Sequence, residues 1–161
     1  MILIVMGVVG AGKSTVGKLL ASQLGWDFAD ADDFHPTSNV KKIHSGIPLD
    51  DNDREPWLEQ LRQAIVEWNY GKKSVVLACS ALKRSYRSQL QVSPEVRFVY
   101  LKGSADLIAT RLRLRHGHFA GESILSSQLA DLEEPEDAIT VDIHDNPEHI
   151  VTEIRQALAL E

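Results

Sequence analysis

Short apolar runs alternate along the chain with longer segments in which apolar residues recur every three or four positions. A strand covered by helices on both faces reads as a continuous apolar run, whereas a surface helix buries only one stripe. The segments with extended character are 2–6, 26–30, 74–79, 96–101 and 138–142. Their alternation with helical segments predicts an α/β fold: a three-layer sandwich with a five-stranded parallel sheet and the first strand at its centre.

The same spacing predicts where the helices lie. The first follows the first strand, with Val16, Leu20 and Leu24 on one face. Another begins near Pro56, with Asp53 as its cap, and ends at Gly71. Its apolar face consists of Trp57, Leu58, Leu61, Ile65 and Trp68. Further helices are predicted at 39–44, at 80–87, after Ser104, at 125–132 and at 147–160.

The first predicted strand runs into a glycine-rich segment that lies directly before the first helix. Residues 7–14 fit G-x-x-x-x-G-K-[ST], the phosphate-binding P-loop, at every defining position. Glycines let backbone N–H groups curl round phosphate oxygens, and the positive end of the helix lies beneath the same anion. The segment predicts binding of a nucleoside triphosphate by Gly7, Val8, Val9, Gly10, Ala11, Gly12, Lys13, Ser14 and Thr15.

Two side chains of this loop carry chemistry of their own. Lys13 can bridge the β- and γ-phosphates, and the Ser14 hydroxyl can ligate Mg²⁺. The alternative is a glycine-rich strand-to-helix turn that contains Lys-Ser by chance. The presence of both the strand and the helix favours the P-loop, because that context is what the motif requires.

An acidic segment follows the second predicted strand. Asp30 and Asp32 are two residues apart, so in an extended segment they would point to the same side. The carboxyl ends of parallel strands line the ligand crevice, which predicts that both face the P-loop. One carboxylate could then lie near Mg²⁺ and the other could accept a proton from an attacking hydroxyl. The alternative is an acidic turn after an edge strand.

A basic pair follows the third predicted strand. Lys83 and Arg87 are four residues apart, so a helix here would present both cations on one face, where they suit an anionic substrate group. A solvated basic helix is the alternative, and the pattern alone does not decide between them. Cys79, at the end of that strand, is interpreted as a small core residue because no activating partner is identifiable.

Three arginines, Arg111, Arg113 and Arg115, precede a segment that contains Gly117 and Gly121. Cationic groups flanked by glycines are typical of a lid that closes on phosphates and excludes water. The prediction is a lid over about 111–126, inside a single domain 1–161. The alternative is a solvated arginine-rich helix end, which the helix dipole also favours.

Composition limits the class of protein. A chain of 161 residues that is 43% hydrophobic and 25% charged is typical of one globular domain. The net charge of −6 argues against a nucleic-acid partner. A single cysteine excludes an internal disulfide framework, and no apolar run approaches the roughly 20 residues of a membrane span. With Met1 leading straight into the first strand, no signal peptide is expected, and we expect a cytoplasmic protein.

Beyond the P-loop, nearly the whole chain resembles the gluconokinases, within the shikimate-kinase-like branch of small P-loop kinases. The resemblance rests on Asp30-x-Asp32-Asp33-Phe34-His35-Pro36, on Asn39-x-x-Lys42-Ile43-x-x-Gly46-x-Pro48-Leu49-x-Asp51-x-Asp53-Arg54-x-Pro56-Trp57-Leu58, on Cys79-Ser80-Ala81-Leu82-Lys83-x-x-Tyr86-Arg87, on Gly117-His118-Phe119 and on Ser127-Gln128-x-x-x-Leu132-Glu133. The family implies ATP-dependent phosphorylation of D-gluconate to 6-phosphogluconate with Mg²⁺, often by a homodimer.

The resemblance also implies roles for individual residues. Asp32 would touch the attacking hydroxyl, and Asp30 would act nearer the metal together with Ser14. A substrate-binding insertion would span about 34–56. Arg54, Lys83 and Arg87 are candidates for the gluconate carboxylate, and His35 and Gln128 for its hydroxyls. Arg111 would pack against the adenine, and Arg115 would neutralise charge on the transferring phosphoryl group.

The chain departs from the family pattern at two places. Val9 and Ala11 replace serines that are common in the family P-loop, but both lie at free positions of the motif. Ala120 and Gly121 stand where many members have Met-Pro, which affects the lid more than the phosphate site.

Two other functions are compatible with a P-loop protein: one is a kinase with a different substrate, and the other is not a kinase. Another kinase of the same branch would act on shikimate or a nucleoside monophosphate, and the insertion at 34–56 argues against it. A nucleotide-dependent switch module is the second rival. The guanine-reading Asn-Lys-x-Asp is absent, since Asn39-Val-Lys-Lys does not fit it.

Overall fold

The computed structural model describes residues 1–116 and 122–160. Five strands are present in this part of the chain: Ile2–Met6 (β1), Asp27–Asp30 (β2), Val75–Ala78 (β3), Val96–Lys102 (β4) and Ile139–Asp142 (β5). The helices are Lys13–Leu24 (α1), Thr37–His44 (α2), Asp51–Tyr70 (α3), Arg84–Leu90 (α4), Ala105–His116 (α5), Glu122–Asp131 (α6) and Pro147–Ala157 (α7). A short 3₁₀ turn, Ala31–Phe34, follows β2.

The strands form one parallel sheet in the order β2-β3-β1-β4-β5. The central position of β1 follows from its sequence, because all five of its residues are apolar and buried. Its two neighbours are β3 and β4. The strands β2 and β3 lie on one side of β1, and β4 and β5 lie on the other, so β1 stands at the switch point of the sheet topology. In parallel α/β sheets ligands bind in the crevice at such a point, outside the carboxyl ends of the strands.

Successive residues of β1 point to opposite faces of the sheet and enter two separate cores. Leu3 and Val5 join the core that includes residues of α1 and α7, whereas Ile2, Ile4 and Met6 join the core beneath α3 and α4. This alternation places a helical layer on each face. The predicted three-layer α/β sandwich with a central first strand is confirmed. No helix in the described ranges is long and apolar enough to cross a membrane.

Helix α3 begins five residues earlier than the sequence analysis predicts. Asp50 is its N-cap and accepts from the backbone N–H of Asp53, while the Asp53 side chain accepts from the backbone N–H of Asp50. This reciprocal capping box satisfies two N–H groups at the helix start. Asp53 is therefore the third helical residue and not the cap, and Pro56 lies inside the helix. The predicted apolar face and the end at Gly71 are confirmed.

Candidate functional site

The P-loop joins β1 to α1 through glycines that no other residue type replaces easily. Gly12 is the N-cap of α1 with φ 95°, and Gly10 has φ 82°, both in the left-handed region. A Cβ on Gly10 would lie 2.8 Å from Leu112 Cγ. Lys13 then begins α1, and its Nζ donates to the carbonyl of Val8 at 3.0 Å. The loop therefore places the start of α1 and the Lys13 ammonium group beside the crevice beyond β1.

Ser14 and Asp30 come together beside this loop. The Ser14 hydroxyl donates to Asp30 Oδ2 at 2.7 Å, which joins the first turn of α1 to the end of β2. A hydroxyl and a carboxylate are hard oxygen ligands of the kind that Mg²⁺ prefers, alongside substrate phosphates and water. In the described ranges no three His, Cys, Asp or Glu side chains form a group that could hold a metal ion. Ser14 and Asp30 therefore suit a Mg²⁺ ion whose other ligands would come from substrate phosphates and water.

Asp30 and Asp32 lie close together, but not for the reason that the sequence suggests. Strand β2 ends at Asp30, and the chain turns at once into the 3₁₀ turn. Asp30 Oδ1 accepts from the backbone N–H of Asp32 at 3.0 Å and so caps that turn. The expected alternation of an extended strand therefore does not apply. Surrounding protein atoms, and then the Asp30 carboxylate, raise the pKa of Asp32.

A cavity opens between the P-loop, the 3₁₀ turn, α3 and α6. It brings together six residues that the sequence analysis selects: Val9, Lys13, Asp32, His35, Arg54 and Gln128. It is also lined by Ile43, Pro48, Leu49, Trp57, Ser80, Ile124 and Ser127. Polar groups thus converge on one side of a partly apolar cleft, which is the usual form of a small-molecule site.

His35 is held at the base of this cavity by an aromatic stack. Its ring lies parallel to that of Trp57, with centroids 4.5 Å apart and an interplanar angle of 10°. The Trp57 indole N–H donates to the carbonyl of Ala31 at 2.7 Å, which fixes the stack to the 3₁₀ turn. Burial, and then the nearby Arg54 guanidinium, lowers the pKa of His35 to about 4. The imidazole is therefore neutral at neutral pH.

Arg54 is buried in the wall of the same cavity. Its Nη1 donates to Tyr86 Oη at 3.0 Å and to Asp131 Oδ2 at 2.9 Å. The Tyr86 hydroxyl in turn donates to Asp51, which also accepts from Lys83 Nζ at 2.9 Å. This network fixes the guanidinium plane between α3, α4 and α6, as a preorganised anion site requires.

Lys83 and Arg87 do not share a helical face. Helix α4 begins at Arg84, with Lys83 as its N-cap, so the predicted i, i+4 arrangement of the two cations does not form. Lys83 pairs with Asp51 outside the cavity. The structure thus brings neither of these predicted carboxylate ligands to the cavity lining.

Arg87 instead points into the protein, where it donates to three backbone carbonyls. The acceptors are Ala81 at 2.8 Å, Leu82 at 3.1 Å and Glu133 at 2.7 Å. Ala81 has φ 46°, an uncommon conformation for a residue with a Cβ. Arg87 therefore holds the strained turn after β3 against the chain segment that follows α6.

Gln128 joins the cavity to the P-loop. Its side-chain oxygen accepts from the backbone N–H of Val9 at 2.7 Å, so a residue of α6 holds a loop residue. Sequence reasoning assigned Gln128 only to substrate hydroxyls. The contact to Val9 spans 119 residues in sequence and has no local signal.

A second cavity lies on the other side of the loop. It is lined by Gly10, Ala11, Gly12, Thr15, Val16, Arg111, Leu112, His144, Asp145, Asn146, Pro147 and Ile150. Arg111 Nη2 donates to the carbonyl of Ile143 at 2.6 Å, which fixes its side chain at the cavity edge. A cleft beside the phosphate loop, next to the start of α7, is where a nucleotide base would extend from its phosphates. The segment at 143–147 was not selected from sequence.

Some predicted features fall wholly or partly outside the described part of the structure. The side chain of Arg115 and residues 117–121 of the predicted lid are among them. Cys79 lies inside it and is buried, and burial raises the pKa of its thiol to about 12. An un-ionised buried thiol is a core residue, as the sequence analysis predicts.

Comparison with known proteins bears on the class of enzyme. The sequence model of the shikimate kinase family matches residues 9–159. A gluconokinase from Gluconobacter oxydans is 44% identical, with 94% of this chain and 88% of that protein covered. The thermoresistant gluconokinase of Escherichia coli is 42% identical, with 93% and 89% covered. A crystal structure of a gluconokinase from Sinorhizobium meliloti has a TM-score of 0.87 and 42% identity, with 98% and 90% covered.

The P-loop fold and the polar cavity beside the loop define a small-molecule kinase that uses ATP. The chain belongs to the shikimate kinase family, and within it to the gluconokinases, as the sequence resemblance predicts.

Proposed function

We propose that this protein transfers the γ-phosphoryl group of ATP to the primary hydroxyl of D-gluconate and releases 6-phosphogluconate. The observation that carries the proposal is the single cavity in which Lys13, Asp32, His35, Arg54 and Gln128 converge beside the P-loop. The gluconokinase relatives share this chain over nearly its whole length. The cavity therefore contains a phosphate-directed cation, a proton acceptor and a buried cation for a substrate anion.

The chemical step is an in-line displacement. The substrate hydroxyl oxygen forms a bond to the γ-phosphorus, the bond to the departing ADP oxygen breaks, and the hydroxyl proton passes to the Asp32 carboxylate. Lys13 neutralises negative charge on the phosphates, and the Gly12–Lys13 start of α1 supplies backbone N–H groups. Arg115 remains a proposed contributor to the same charge neutralisation.

Mg²⁺ is part of the proposal, with Ser14 and Asp30 as the residues that would hold it. When bound, the ion would supply positive charge that reduces the repulsion between the phosphates and the attacking hydroxyl. Asp32, which is not tied to Ser14, is left for the hydroxyl. This division gives the two neighbouring carboxylates different tasks.

Arg54 is our choice for the gluconate carboxylate. Of the three cations that the resemblance suggests, it alone contributes to the described cavity lining. Its buried guanidinium is fixed by Tyr86 and Asp131, which reduces the entropy that substrate binding must remove. His35 and Gln128 would contact the substrate hydroxyls, and Thr15 and Arg111 the nucleotide.

The wider setting is also proposed. We place the reaction in the cytoplasm, with no nucleic-acid or membrane partner, in a chain that forms one domain and associates as a homodimer. The segments 34–56 and 111–126 would serve as substrate-binding insertion and lid.

A coupled assay of ADP release tests the activity against its rivals. With ATP and Mg²⁺, we expect turnover with gluconate and at least about a hundredfold lower kcat/KM with shikimate, nucleoside monophosphates or sorbitol. Shikimate and the monophosphates differ from gluconate in shape, and sorbitol lacks the carboxylate that Arg54 would bind. A higher kcat/KM with shikimate or a nucleoside monophosphate would show that gluconate is not the substrate. Slow hydrolysis of ATP without any acceptor would favour a nucleotide-dependent switch module.

The matched variants for this assay are two lysines of the same helix. Lys13→Ala should abolish turnover and leave the fold intact, because its side chain serves the phosphates and not the core. Lys18→Ala alters an exposed residue of α1 and should retain wild-type turnover. Equal activity of Lys13→Ala and the wild type would remove the P-loop from the mechanism.

A further inference from the structure

Asn39 is a buried amide that reaches the substrate cavity only through a neighbour. It lies on α2, is 2% exposed, and is not itself in the cavity lining. Its Nδ2 donates to the backbone carbonyl of Asp53 at 2.7 Å and lies 3.1 Å from Nδ1 of His35. The two N–H groups of Asn39 Nδ2 thus face two partners, the carbonyl of Asp53 on α3 and the ring of His35 in the cavity lining.

The Asp53 carbonyl decides the orientation of the amide. A carbonyl oxygen only accepts hydrogen bonds, so the reversed amide would place two oxygens against each other in a buried site. Nδ2 must therefore face both partners. An amide nitrogen only donates, which means that Nδ1 of His35 is the acceptor and carries no proton. The proton of the neutral ring then lies on Nε2.

Nε2 points toward the reacting carboxylate. It lies 3.9 Å from Asp32 Oδ1, too far for a direct hydrogen bond but suited to a hydroxyl between the two. The ring stays neutral because it is stacked on Trp57, with a side chain only 5% exposed, and because Arg54 faces it. Asp32 and Arg54 are the charged groups that act on this ring.

We propose that Asn39 is a positioning residue that fixes His35 as the Nε2–H tautomer, so that His35 donates a hydrogen bond to the reacting hydroxyl of the substrate. The hydroxyl has one proton and two lone pairs. Its proton points to Asp32, one lone pair accepts from Nε2–H, and the other is left for the γ-phosphorus. The inference rests on the proposed kinase function for its catalytic consequence, but the tautomer itself does not.

Nitrogen NMR of the histidine side chains in the whole protein tests the tautomer directly. Between about pH 5 and 8, His35 should show a protonated, pyrrole-type Nε2 and an unprotonated, pyridine-type Nδ1. The His35→Gln variant identifies its signals among the six histidines. A protonated Nδ1, or averaged shifts from exchanging tautomers, would overturn the inference even in a fully active enzyme.

Asn39→Asp tests the consequence. A carboxylate beside Nδ1 accepts its proton, so the tautomer should reverse and Nε2 should become an acceptor that competes with Asp32. We expect kcat with gluconate to fall at least about tenfold, with less than about a twofold change in KM for ATP. Asn69→Asp, the same change at the far end of α3, is the control and should retain wild-type values.

Asn39→Leu is a second variant that removes the N–H donor to His35 without adding a charge. It serves if the carboxylate of Asn39→Asp prevents folding. Both tautomers should then appear in the NMR spectrum, and kcat should fall in proportion to the lost Nε2–H form. A purely structural Asn39 would lower the melting temperature in both variants but leave the tautomer and kcat of the folded enzyme unchanged. Absence of gluconate turnover in the wild type would refute the proposed function alone, because the NMR result does not depend on it.

Discussion

At the scale of single residues, Asp30 and Asp32 are chemically alike but differ in their neighbours. Asp30 is occupied by the Ser14 hydroxyl and by the backbone N–H of Asp32, whereas Asp32 faces the cavity. The residue pattern places two carboxylates at the end of one strand, and only the family resemblance assigns them different tasks. The contacts of the folded chain give them different partners.

Asp32→Asn keeps the shape of the side chain but removes its charge and most of its basicity. We expect kcat with gluconate to fall by roughly a hundredfold or more, as for the loss of a positioned proton acceptor, with a modest change in KM. Asp33→Asn changes the exposed neighbour, which does not line this cavity, and is the control. Steady-state kinetics decide between them, and near-normal kcat in Asp32→Asn would contradict the assignment.

His35 predicts an acid sensitivity of stability. Its pKa is about 4 in the folded protein and 6.5 in the unfolded chain, so between these values the unfolded state binds more protons. The free energy of unfolding must therefore decrease as the pH is lowered through this window. His35→Gln lacks the effect, so from about pH 7 to 4.5 it should lose roughly 2 kcal/mol less stability than the wild type.

Urea unfolding of both proteins at the two pH values measures this difference. Contributions from the carboxylates largely cancel in the comparison, because both proteins contain them. An identical loss of stability in the wild type and the variant would mean that His35 is protonated in the folded state.

At the scale of elements, α4 shows how the position of a helix start redirects two cations. Arg84 is the first helical residue, so Lys83 turns toward Asp51 on α3 and Arg87 turns inward to the carbonyls at 81, 82 and 133. A helix that started at residue 80 would have presented both side chains on one face. Because the helix starts after Lys83, Lys83 forms an ion pair with Asp51, and Arg87 forms buried hydrogen bonds to backbone carbonyls.

Arg87→Met should therefore act on stability and not on substrate affinity. Three carbonyls lose a charged donor, and we expect unfolding free energy to fall by about 3 kcal/mol, with KM for gluconate within about threefold of the wild type. Arg84→Met, an exposed neighbour on α4, should stay within about 0.5 kcal/mol. Denaturation and kinetics on the same samples distinguish the roles: a large rise in KM without destabilisation would restore Arg87 as a carboxylate ligand.

At the scale of the whole molecule, α6 connects the two substrate sites. Gln128 holds the P-loop at Val9, Asp131 holds Arg54, and the following Glu133 carbonyl holds Arg87. One helix therefore contacts the nucleotide loop, the proposed carboxylate site and the turn after β3. We therefore expect binding at either site to affect the same helix.

Gln128→Leu tests whether α6 supports both nucleotide and gluconate binding. Loss of the acceptor for the Val9 N–H leaves the loop less well fixed, and we expect KM to rise about three- to tenfold for ATP as well as for gluconate. Gln63→Leu, at an exposed position of α3, is the matched control. A rise in the gluconate KM alone would show that Gln128 contacts the sugar acid but does not support nucleotide binding.

The sequence by itself determined the features whose physical causes are local. The apolar runs define the strands because a strand covered on both faces has no polar side, and this also places β1 at the centre. The P-loop is recognisable because Gly10, Gly12 and Lys13 must stand at fixed spacing between a strand and a helix start. These features predict binding of a nucleoside triphosphate. The kinase class came from the resemblance of the longer motifs to a known family, and the family match confirms it.

Only the tertiary structure decided which polar groups meet. Arg54 reaches Asp131 across 77 residues, and Gln128 reaches Val9 across 119, so no local pattern indicates either contact. The direction of Arg87 depends on a helix start and on a strained turn at Ala81, neither of which has a distinctive residue type. Asn39 and His35 are four residues apart, yet the proton position that we infer for His35 depends on the Asp53 carbonyl of another helix. Such partners are chosen by the packing of elements, because a buried donor or acceptor must be satisfied wherever the fold places it.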